Sequence, residues 1–159
     1  MKKCICILLS LLLALALVGC GGQNDAPAQS VDLKAAAEEA IASINSEDVV
    51  LFPEENPDAI ESLYPNLTAV DTAQLVVYLP PIIGNPCEVV LVEVKNSGDV
   101  DTVRDILQNR IDVAGDDSAY PDNAAGWKNR AAVSVNGNYL VLSVLPDGVD
   151  TPDAFLAKF

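Results

Sequence analysis

Residues 87–115 read CEVVLVEVKNSGDVDTVRDILQNRIDVAG, and this run decides the fold. Cys87 to Lys95 is rich in Val and Leu, has strand length, and is broken by Asn96-Ser97-Gly98. From Asp99 the period changes. Val100, Val103, Ile106, Leu107, Ile111 and Ala114 recur at helical spacing as one stripe, with Asp101, Arg104, Asp105, Gln108 and Asp112 largely opposite. Gly115 marks the end of this helix, and Arg110 reads as a cation that suits the dipole at its C-terminal end.

On the C-terminal side, Ala131 to Val135 and Tyr139 to Leu145 read as strands. Asn136-Gly137 joins them as a hairpin, because a type I′ turn needs positive φ at both central residues. Leu140, Leu142 and Val144 on one side of the last strand then meet the Val100–Ile111 stripe. Asp116 to Asn129 is polar and reads as a loop, and residues 153–159 read as a short terminal helix. On the N-terminal side, Thr72 to Leu79 is a strand, followed by a connector from Pro80 to Pro86 that excludes both helix and ladder. Asn56-Pro57-Asp58 starts a helix that turns Ile60, Leu63 and Tyr64 inward and stops at Pro65. Val49 to Phe52 is a short apolar patch stopped by Pro53. An earlier helix carries Leu33, Ala36, Ala37, Ala40, Ile41 and Ile44, with Ser30 as its cap and its end near Asn45. Together these predict an α+β fold: a small antiparallel sheet of about four strands, packed on one face by a long amphipathic helix, with N-terminal helices.

The first residues read as an address. Lys2 and Lys3 precede Ile5 to Val18, a 14-residue stretch that is apolar except for Ser10. A basic start, an apolar run shorter than a spanning helix and small residues at its end describe an export signal. Leu17-Val18-Gly19-Cys20 resembles the bacterial lipobox, which implies cleavage before Cys20 and a diacylglyceryl group on its sulfur. The predicted organisation is a signal peptide over 1–19, a lipidated Cys20 with a flexible tether over 20–30, and one domain over 31–159. The domain's location is then the extracytoplasmic face of a cell membrane, held by its lipid. Cleavage removes two lysines and no acid, so the net charge moves from −14 to −16. Such acidity keeps the domain soluble and away from anionic headgroups.

Several elements also resemble a family of small Gram-positive lipoproteins that carry domain of unknown function 4358. They are Leu63-Tyr64, the strand Glu88 to Lys95, the helix ending in Gln108-Asn109-Arg110, Tyr120-Pro121, and the hairpin Gly137-Asn138-Tyr139-Leu140. The resemblance covers roughly residues 59–156. It implies an envelope location and a compact domain, and it implies no activity, cofactor or site residues.

Composition excludes several chemistries. Histidine is absent, which removes Ser-His-Asp and Cys-His catalysis and His-ligated metals. The nine basic residues are scattered, which argues against a nucleic-acid surface. Cys87 stands alone in the mature chain and reads as a small buried hydrophobe. Asp112, Asp116, Asp117 and Asp122 offer oxygens to calcium without the spacing of an EF-hand. Trp127 reads as a residue pinning a loop to the sheet or, with Arg130 beside it, as a recognition anchor. Tyr120 and Tyr139 are expected to pack with satisfied hydroxyls. The expected role is a non-enzymatic binding or scaffolding module of the envelope, without metal or other cofactor. Its partner would be an envelope protein or a cell-wall component. The alternatives are a small hydrolase with paired carboxylates and a calcium-stabilised adhesion-type domain.

Overall fold

Alternation between strand and helix periods along residues 72–144 builds four strands of a five-stranded, fully antiparallel sheet. The structure is a computed structural model that describes residues 31–146 and 149, except 45, 46, 48, 83 and 84. The signal segment over 1–19, Cys20, the tether and the terminal helix expected over 153–159 lie outside the described residues. The order along the chain is α1 (Leu33–Ser43), β1 (Phe52–Pro53), α2 (Pro57–Leu63), β2 (Thr72–Leu79), β3 (Glu88–Val94), α3 (Val100–Gly115), α4 (Pro121–Arg130), β4 (Ala132–Asn136) and β5 (Tyr139–Val144). In space the strands run β1-β2-β3-β5-β4. The four strands expected from sequence are present, and β1 adds a fifth of two residues. Pro53 is tolerated there because β1 lies at the edge of the sheet.

Strand β3 lies at the centre and is apolar on both faces. Val90, Val92 and Val94 face α3, while Val89 and Leu91 face the other side. The first face packs with Leu140, Leu142 and Val144 against Val103, Leu107 and Ile111, as the stripe requires. The second face is covered by α1 through Leu33, Ala37 and Ala40, so helices occupy both faces rather than one. A strand buried on both sides needs two covering layers. The Gln74 side chain ties α1 down: its Oε1 accepts from the Leu33 N–H at 2.9 Å, and its Nε2 donates to the Val31 carbonyl at 2.7 Å.

Helix starts correct two expectations. Asp32, not Ser30, caps α1, with its Oδ1 accepting from the Ala35 N–H at 3.0 Å, and the helix ends at Ser43. The segment expected to be a loop after Gly115 contains α4. Its polar sequence hides a short helix with Pro121 in the first turn, Asp122 beside it, and Lys128 and Arg130 in the last turn. The α2 start behaves as expected, with Asn56 accepting from the Asp58 N–H at 3.0 Å. Glu61 then closes the turn after α2 by accepting from the Asn66 N–H and the Thr68 hydroxyl, each at 2.6 Å. Among the described residues, no helix is long and apolar enough to cross a membrane.

Candidate functional site

Two charged residues sit where the apolar pattern wants hydrocarbon. Glu88 opens β3 on the face shared with Val90 and Val92, and it is 3% exposed. Arg110 follows Val103 and Leu107 at helical spacing on α3, so its side chain also points under the helix layer. The two meet as a two-pronged ion pair. Arg110 donates from Nη2 to Glu88 Oε2 at 2.9 Å and from Nε to Oε1 at 3.2 Å. The Tyr64 hydroxyl also donates to Oε1. The guanidinium lies over the Trp127 ring at 4.8 Å from its centroid and over Tyr64 at 6.0 Å. A planar cation with fixed forked donors suits both the carboxylate and the ring faces.

The electrostatics follow from this enclosure. Burial, then the Glu88 charge, push the Tyr64 hydroxyl well above the usual phenol range. Burial works against the charge on Arg110, but the bonds and charge of Glu88 outweigh it, so the guanidinium holds its proton more firmly than usual. Cys87, fully buried beside this group in sequence, has its thiol pushed up to about 11, first by burial and then by Glu88. Cys87 is therefore the small buried hydrophobe expected, with no thiolate character near neutral pH.

The network forms one side of a cavity of about 400 Å³ between α2, the β2–β3 connector, α3 and α4. Leu63, Leu79 and Val113 supply apolar walls, and Asn85, Asp117 and Asn123 supply polar ones. Val113 is 62% exposed, so the cavity opens to solvent there. Helix α4 comes close to the connector at Gly126, where an added Cβ would lie 2.5 Å from Pro86 Cγ. The missing side chain is what allows this approach.

The residues singled out in the sequence fall into place unevenly. Trp127 is 3% exposed and packs in the core on α4, so it is a packing residue and an Arg110 platform rather than an exposed anchor. Arg110 is not a dipole cation: α3 runs on to Gly115, and its last turn holds no basic residue. Tyr139 is half-buried with Glu93 accepting from its hydroxyl, whereas Tyr120 is exposed at the start of α4. The four aspartates do not converge. Asp112 accepts from Gln108 at 2.9 Å, Asp116 pairs with Lys128 at 3.0 Å, and Asp117 accepts from the Ala119 N–H at 2.9 Å. Among the described residues, no three acidic or cysteine side chains group where they could hold a metal ion.

Sequence reasoning passed over Glu88 and, in its real role, Arg110. The signal was present: an acid inside an apolar strand and a cation on an apolar helical stripe each require a buried partner. A family model described as domain of unknown function (DUF4358) matches residues 54–145. The match starts five residues earlier and ends eleven earlier than the 59–156 expected, spanning α2 to β5 and leaving out α1. Neither the curated proteins nor the solved structures give a match.

Proposed function

The chain belongs to the family of domain of unknown function DUF4358, and on that premise we propose a non-enzymatic binding module, lipid-anchored outside a Gram-positive cell membrane. The lipobox-like Leu17-Val18-Gly19-Cys20 behind an apolar leader supports the address. The binding role is carried by one observation: the cavity's one deeply buried carboxylate already has its bonds made. Glu88 accepts twice from Arg110 and once from Tyr64. A general base or nucleophile needs a lone pair turned toward substrate, and a carboxylate held this way serves as scaffold. What remains is a walled, solvent-open cavity with a rigid charged floor, which is the form of a small-ligand site. The partner is then a ligand or protein segment of the cell envelope, with Cys20 holding the domain within reach of it.

The second reading, a carboxylate hydrolase, draws on Glu88 and Asp117 lining the same cavity. It requires Glu88 to leave Arg110 during the reaction. Cell fractionation tests the address directly. The parent protein should sediment with membranes and be cut by protease added outside the cells, whereas Cys20→Ser should lose its lipid-dependent retention. A parent protein found in the cytoplasm or the culture medium would overturn the proposal.

A further inference from the structure

The geometry points to the class of ligand the cavity selects: a small organic ammonium carried on a short apolar group. This rests on reading the cavity as the binding site and goes further by naming the chemistry. Three charged residues line it, Glu88, Arg110 and Asp117. The first two neutralise each other through two hydrogen bonds, so Asp117 is the charge without a counterion in the lining. Its Oδ1 accepts from the Ala119 N–H, and Oδ2 has no hydrogen-bond partner among the described residues.

An open carboxylate oxygen and one net negative charge ask for a donor that is also a cation, and a primary ammonium carries three N–H groups. Leu63, Leu79 and Val113 offer the hydrocarbon surface for what the nitrogen is attached to. The chain's net charge of −14 adds a field that draws cations toward every opening on its surface. A carboxylate ligand would find only the remaining N–H groups of an Arg110 already neutralised, with Asp117 repelling it.

Trp127 is the single tryptophan of the chain and lines the cavity, so its emission reports occupancy without a label. The full chain in a non-ionic detergent is titrated near pH 7 with isobutylamine, isobutanol and isobutyrate, which share a hydrocarbon group and differ in the head. The ammonium form of isobutylamine should saturate at a concentration roughly tenfold below isobutanol, and isobutyrate should be weakest. Asp117→Asn should bring isobutylamine back to the level of isobutanol while leaving isobutanol unchanged. Raising salt to about 0.5 M should weaken the amine alone, a readout that needs no variant. Saturation by all three probes without preference for the amine, or an amine preference kept in Asp117→Asn, overturns this inference and leaves the binding site standing. No saturable response to any probe overturns both.

Discussion

Replacing Arg110 with methionine removes the charge and forked donors while keeping a flexible apolar stem over Trp127. Glu88, 3% exposed, then loses bonds of 2.9 and 3.2 Å and retains only Tyr64. Breaking a buried pair by deleting one partner costs about 3–5 kcal/mol, because the other charge stays behind. The Arg110 side chain is 18% exposed, so water reaches the pair's outer side and the lower end, about 3 kcal/mol, is expected. With a urea slope of about 1.5 kcal/mol per molar, the unfolding midpoint should fall by ~2 M. Glu88→Gln leaves an Arg110 that can turn toward solvent and should cost less, about 1–2 kcal/mol. The double variant should be more stable than the sum of the two losses implies, with a coupling of about 1.5 kcal/mol or more. Urea unfolding followed by far-UV circular dichroism at pH 7 reads all four proteins. An Arg110→Met loss below about 0.5 kcal/mol, the range of ordinary surface changes, would refute a buried pair as the cavity's scaffold.

Gly126→Ala should destabilise by about 1–3 kcal/mol despite alanine's better helix propensity, since its Cβ would meet Pro86 Cγ at 2.5 Å, and thermal melts will show it. Gly98→Ala, with open space around its Cβ position, serves as the unaffected control. Cys87 should resist a thiol reagent at pH 8 in the native protein and react at once in urea. Its raised thiol also sets the sign of the alkaline response. The unfolded thiol ionises near 9 and the folded one near 11, so stability should fall between those values by up to about 1.4 kcal/mol per pH unit. Tyr64, raised in the same direction, adds to the loss at still higher pH. Leu107→Ala, at a fully buried α3 position, should cost about 2–5 kcal/mol in the same urea assay.

The strong periods were legible from sequence. The α3 stripe and the two central strands each carry a repeated local signal, and each stands where that signal put it. The hairpin is present, but its turn sits one residue later than expected, with Gly137 and Asn138 between the paired Asn136 and Tyr139 and positive φ at Gly137 only of the two. Helix α4 was hidden because it buries only Ala124, Gly126 and Trp127, too few for a stripe, among residues of poor helix propensity. Its end signals, Pro121 and the late cations, were there and outweighed by composition. β1 has two residues and one is proline, so no period exists to find. The cover of α1 on the second face was implied by the unbroken apolar run Val89-Val90-Leu91-Val92, a pattern too dense for a one-sided sheet. The Glu88–Arg110 pair spans 22 residues. Each member was visible as a charge in an apolar pattern, but only the register of β3 beneath α3 brings them together. The cavity itself arises from side chains of four segments and has no local signature.

Location is the claim on which the functional proposal depends, and the intact mass of the protein extracted from membranes tests it most directly. A chain beginning at Cys20, heavier than its residues by a diacylglyceryl group on the sulfur, is the expected result. A chain that still carries residues 1–19, or one with a free thiol at Cys20, would contradict it.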